Sequence, residues 1–146
     1  MERDWKEWFW KGYPLTYKTS LWIRYINWDS LIQEYMDYQK DKNAPPPSVT
    51  PRLIREARAS GKRPVLCIEE LDKSRLTEYK ANKFFEFMVA IDETQGQIIL
   101  TTNHRTQEDF ERWLYKTDED AVNMAGEPAW RRIMDNCKTI EFKATL

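Results

Sequence analysis

The chain has 146 residues, enough for one domain with one moderate core and too few for two. Hydrophobic residues make up 41% and charged residues 32%, a globular balance rather than a disordered one, and no apolar run approaches the length of a membrane span. With 23 basic and 24 acidic side chains the net charge is −1, so no global positive field draws in nucleic acid and any such binding must be local or shared with a partner.

The first ten residues are charged and aromatic and lack a small-residue cleavage site, so they do not read as a signal peptide. Residues 5–11, WKEWFWK, are expected as a short strand, followed by a turn-like stretch, GYPLTYKTS. Leu21–Asn27 is rich in β-favouring residues and reads as a strand. Asp29 or Ser30 can cap a helix with Leu31, Ile32, Tyr35 and Met36 on one face. Three consecutive prolines make residues 41–50 a loop. Thr50 as cap and Pro51 at the first helical position restart a helix that stops at Gly61.

Pro64–Ile68 is apolar without alternation, the mark of a strand covered on both faces in a parallel sheet, and it delivers Glu69 and Glu70 at its end. Residues 78–93 form the longest helix, with Phe84, Phe85, Met88 and Ile91 at helical spacing, and Gly96 ends it. Gln97–Thr102 is a second buried strand, tipped by Asn103. Thr106 caps a helix carrying Phe110, Trp113 and Leu114. Gly126 and Pro128 break the chain before a short helix, AWRRIMDN, and Thr139–Phe142 is a last strand. Strands alternating with helices predict an α/β fold, a mostly parallel central sheet layered by helices, with chemistry gathered at the C-terminal strand ends.

Three segments could carry that chemistry. VLCIEELD, residues 65–72, places two adjacent carboxylates at a strand tip. They have no packing value there, but they suit a metal–phosphate site in which one holds the Mg²⁺ shell and the other orients or deprotonates water. An ordinary strand followed by a solvated acidic turn is the plainer alternative. IILTTN, residues 98–103, can present the Asn103 amide to a γ-phosphate or its water, or simply turn the chain. EPAWRRIMDNC, residues 127–137, carries an Arg pair that could act as an arginine finger or be merely solvated.

In this order, the acidic strand tip, long helix, Asn-tipped strand, two helices and Arg-bearing helix before a final strand resemble a known family. The chain is similar, over residues 21–143, to the C-terminal two-thirds of the AAA+ core of DnaC/IstB-type proteins, the replicative helicase loaders and transposition helper ATPases. The resemblance implies a P-loop NTPase-type layered α/β/α fold over a single domain, incomplete at the N-terminus. PVLCIEELDK resembles the Walker B segment, which implies a metal role for Glu69 and a catalytic role for Glu70; Glu69 stands where the family usually has Asp. IILTTNH resembles sensor 1, which places that role on Asn103. RRIMDNC resembles the Arg-containing segment before the last core strand, with Arg132 at the finger position and Arg131 as the alternative.

At Walker A the pattern departs. Gly12, Lys18 and Thr19 fall at the motif's spacing, so Lys18 and Thr19 are the nucleotide-binding candidates. Tyr17 replaces the glycine before the lysine, and a strand-like run follows Thr19 where the motif has a helix. Truncation and partial deletion of an ancestral phosphate loop both account for this. The resemblance implies ATP and Mg²⁺ as cofactors and a replicative helicase or transposase-like protein as partner. It also brings further copies of the chain into consideration, while single-stranded DNA enters through the N-terminal aromatic residues and no membrane is expected for want of a long apolar run. A non-catalytic interaction module on the same scaffold is the alternative.

Of the remaining features, His104 could sense phosphate, though a plain surface histidine is the simpler expectation. Trp5, Trp8, Phe9, Trp10, Tyr13 and Tyr17 could stack bases, or form core or a partner-binding face. Cys67 and Cys137 are too few for a disulfide framework; they are expected as buried, reduced thiols of a cytoplasmic protein.

Overall fold

A computed structural model describes residues 20–115 and 126–136. Strand β1 (Ser20–Asn27) runs directly into helix α1 (Trp28–Lys40). The cap is Asn27, not Asp29 or Ser30: Asn27 keeps extended backbone angles while its side chain accepts from the Ser30 amide at 3.1 Å. One residue therefore ends the strand and opens the helix, and no loop is needed between them. Leu31 and Ile32 are buried, whereas Met36 is exposed, so the buried stripe of α1 is narrower than its periodicity suggests. Half-buried Tyr35 donates its hydroxyl to the Val49 carbonyl at 3.1 Å and holds the proline-rich loop against the core.

Helix α2 (Pro51–Ala59) begins as the sequence dictates: the Thr50 hydroxyl accepts from the Leu53 amide at 3.1 Å and Pro51 fills the first turn. Gly61, at φ 81°, turns the chain into β2 (Lys62–Glu69). Helix α3 (Glu78–Glu93), capped by Thr77, buries Phe84, Phe87, Met88 and Ile91. At its end the left-handed residue is Gln95 (φ 53°), rather than the expected Gly96. Gly96 is small for a different reason: a Cβ there would lie 2.9 Å from the Pro64 carbonyl oxygen.

Strand β3 (Gln97–Leu100) is two residues shorter than its apolar run and polar tip suggest, because Thr101 and Thr102 turn to bond the loop after β2. Helix α4 (Gln107–Tyr115) buries Phe110 and Leu114. Helix α5 (Gly126–Asn136) includes Gly126 and Pro128, which the sequence reads as breakers; in the first turn a proline gives up no intrahelical bond. The expected strands at residues 5–11 and 139–142, the Gly12–Thr19 stretch and Cys137 lie outside the described residues.

The strands form one parallel sheet in the order β1-β2-β3. Ser20 pairs with Lys62 through to Asn27 with Glu69, and Val65 with Gln97 through to Ile68 with Leu100. The chain is thus an α/β protein with a three-stranded parallel sheet among the described residues. Register partners share a face. Ile26, Leu66, Ile68 and Ile98 look into the core, where Trp28 meets Phe84 and Phe87 edge-on at 5.9 and 5.7 Å. All five described helices contribute to that cluster. Cys67, expected buried, is half-buried on the opposite face; burial and the neighbouring Glu69 carboxylate push its thiol up from the ordinary value. No described helix is long and apolar enough to cross a membrane.

Candidate functional site at the C-terminal strand ends

Because all three strands are parallel, the segments that leave them emerge on one edge. Glu69 ends β2 in register with Asn27 and is exposed. Glu70 is exposed and takes a left-handed conformation, φ 48°. For a residue with a Cβ that costs about 1–2 kcal/mol, so neighbours must hold it. The Glu70 amide donates to the Thr101 hydroxyl at 2.8 Å, and its carbonyl accepts from the Lys73 amide at 3.0 Å. The Thr101 amide donates to the Ile68 carbonyl at 3.1 Å, and buried Leu71 anchors the turn, its amide donating to the Thr101 carbonyl at 3.3 Å. The Lys73 ammonium stands 3.7 Å from the Glu70 carboxylate.

Sequence reasoning stopped at the two consecutive acids and missed a third. The Asp72 side chain is only 4% exposed. It accepts from the Thr102 hydroxyl at 2.8 Å and from the Asn103 amide at 3.2 Å. The His104 Nε2 lies 3.2 Å from the same carboxylate but out of line for a hydrogen bond, so the contact becomes an ion pair only when the imidazole is protonated. The His104 ring packs against Phe110 and Trp113, centroids 6.0 and 6.1 Å away, so it is not the plain surface residue expected. The signal that could have found Asp72 is its place three residues past the end of β2, opposite a Thr-Thr-Asn run. Asn103 itself is exposed, and its backbone is what Asp72 fixes.

A second cluster shares the edge. Asp29, in the first turn of α1, accepts from the Ser74 hydroxyl at 2.7 Å and the Lys80 ammonium at 3.2 Å; Lys80 also donates to Ser74 at 2.6 Å. Burial pushes the Asp29 carboxyl up, but the hydrogen bonds from Ser74 and Lys80 and the charges of Lys80 and Lys73 outweigh it, leaving the carboxyl below the usual range. A Ser–Lys contact of this length can mark a nucleophile and its base. Here Lys80 donates to both neighbours and Ser74 gives its proton to Asp29, so the trio ties the starts of α1 and α3 to the intervening loop.

Glu69 ends β2, Glu70 follows it, and Asn103 lies three residues beyond the end of β3, so the three leave the sheet on one edge without all being strand ends. Arg132 lies at the other end of the sheet. Its Nε is 3.8 Å from Asp92, in the last turn of α3 before β3 begins, and its guanidinium sits 5.1 Å from the centre of the Phe85 ring. Within one chain it does not join the carboxylates. Arg131 is exposed and paired with Glu127 in its own helix. Lys18 and Thr19 lie outside the described residues, and β1 begins at Ser20, directly after them.

Among the described residues no three or more His, Cys, Asp or Glu side chains converge on a point that could hold a metal. One or two exposed carboxylates fit an ion such as Mg²⁺ that keeps most of its water and arrives on phosphate, not one caged by protein alone. No family model, curated protein or solved structure matches the chain.

Proposed function

We propose that the C-terminal edge of the sheet is a Mg²⁺–nucleotide site and that the chain is an AAA+-like module of the helicase-loader or transposition-helper type. One observation carries the reading. Two exposed carboxylates, Glu69 at the end of the central strand and Glu70 just past it, leave the sheet on the same edge as the Thr101–Asn103 segment that follows β3, the edge where open parallel sheets receive ligands. In this reading Glu69 holds the ion through water, Glu70 orients the attacking water, and Asn103 donates toward the terminal phosphate. Arg132 serves the site of a neighbouring copy, and Lys18 and Thr19 supply what phosphate contact there is. When bound, Mg²⁺ offsets phosphate charge that the two carboxylates would otherwise repel. The residues of this chain do the positioning: Thr101 holds the Glu70 turn and Asp72 holds the Asn103 backbone.

A second reading is favoured by the start of β1 at Ser20. A phosphate loop works through amides at the N-terminus of the helix that follows it, and no helix can follow Thr19 here. The chain would then be an interaction module that keeps the scaffold without the nucleotide. Either way, the chain alone is expected to bind ATP no better than millimolar, about −4 kcal/mol at most.

Titrating ¹⁵N-labelled chain with Mg²⁺–ATP separates the two. Amide shifts concentrated in residues 69–73 and 101–104, saturating in the millimolar range, are expected of the nucleotide site, and Glu70→Gln should then lower hydrolysis without weakening binding. No shift there at several times that concentration would leave the interaction module.

A further inference from the structure

The strands step in one direction, so right-handed crossovers place the connecting helices on one face of the sheet. Register defines what the other face carries. Tyr25, Cys67 and Ile99 form one row across the three strands, and Ile23, Val65 and Gln97 form the next. None of these six belongs to the core cluster, and none is charged. Ile23, Tyr25 and Ile99 are 39%, 78% and 41% exposed and Cys67 is half-buried, whereas Val65 and Gln97 between them are buried, so the open part of the face is the Tyr25–Cys67–Ile99 row together with Ile23. Parallel sheets persist in water with both faces covered, and no described helix covers this one.

The chain outside the described residues offers a matching occupant. Residues 1–19 enter the sheet at Ser20, the first residue of β1, which is the edge strand that bears Ile23 and Tyr25. They hold Trp5, Trp8, Phe9, Trp10, Tyr13 and Tyr17, and each such ring removes about 150–250 Å² from water when packed. Three strands span only about 10 Å, so residues 5–17, tethered at Ser20, reach every row.

We propose that residues 5–17 of this same chain cover the helix-free face, seating their aromatic side chains over Ile23, Tyr25, Cys67 and Ile99. The aromatic cluster is then a second core layer, not a surface for stacking bases. This holds whether or not the opposite edge binds nucleotide.

Cys67 reports on the cover. In full-length chain carrying Cys137→Ser it is the single thiol, and its reaction with a polar disulfide reagent should be slow at all protein concentrations. Adding Trp5→Ser, Trp8→Ser and Trp10→Ser should speed it by about ten-fold or more, as local opening exposes the strand. An unchanged rate overturns the proposal. So does protection of the Cys137→Ser chain that disappears on dilution, which would assign the face to a second copy. A measurement on the unsubstituted chain guards against a variant that does not fold: nuclear Overhauser contacts between Trp5, Trp8 or Trp10 indole protons and the Ile23 or Ile99 methyls are expected, and their absence also overturns it.

Discussion

Replacing Asp72 by alanine tests whether the candidate site is held by the contact that the structure assigns to it. The truncation deletes an acceptor that is 96% buried and leaves the Thr102 hydroxyl and the Asn103 amide without their partner. Hydrogen bonds to an ionised acceptor contribute about 1.5–3 kcal/mol each. Thr102 and Asn103 are exposed, so water can replace part of the loss and the lower end applies. The misaligned His104 contact adds little. The expected destabilisation is about 2–3 kcal/mol, read as a fall in Tm of roughly 6–9 °C for a domain of this length. Asp72→Asn keeps the volume but turns an amide donor toward one of the two donors, and it should recover less than half of the loss. Thermal and urea unfolding at neutral pH provide the numbers. A loss below about 1 kcal/mol, the worth of a single exposed bond, would mean that Asp72 does not clamp the β3 tip and that Asn103 is placed by something else.

Other consequences follow from single backbone or side-chain features. Glu70→Gly should raise stability by about 1 kcal/mol by relieving the left-handed strain, seen as a higher urea midpoint; a fall would show that the Lys73 contact outweighs that strain. Neighbours at the end of α3 should respond with opposite signs. Gln95→Gly should stabilise by about 0.5–1 kcal/mol at a left-handed cap position, whereas Gly96→Ala should cost about 1–3 kcal/mol because its methyl meets the Pro64 carbonyl; equal signs would refute this account of the turn. Asp29 sets a pH dependence. Its folded carboxyl titrates below the ordinary 3.8, so its stabilisation is complete above that value and is lost as the pH falls through the lower folded value. Asp29→Asn should therefore lose less stability on acidification below about pH 4 than the unsubstituted chain, by a small margin since the group is 41% exposed; identical acid slopes would dismiss the trio's role.

Much of the fold was legible in short stretches of sequence. Thr50 before Pro51 and Thr106 before the run with Phe110, Trp113 and Leu114 each carry a complete local instruction, because a cap and the amide it satisfies lie three residues apart. The apolar strand delivering Glu69 and Glu70, and the one leading to Asn103, could be recognised for the same reason, and parallel pairing alone then brings their ends to one edge. Composition also placed six aromatic residues before the first described strand. What tertiary structure decided depends on partners distant along the chain. Asp72 is buried because the β3 tip, thirty residues on, supplies its donors. Phe87, absent from the expected apolar stripe of its helix, is fully buried because Trp28 and Tyr35 close over it. Arg132 sits at the end of the sheet away from the carboxylates because α5 packs against α3, beside Asp92 and Phe85. The gathering of the described helices on one face likewise comes from strand order, which periodicity does not encode: apolar runs mark strands to be covered, but the direction of each crossover settles which face the described helices take.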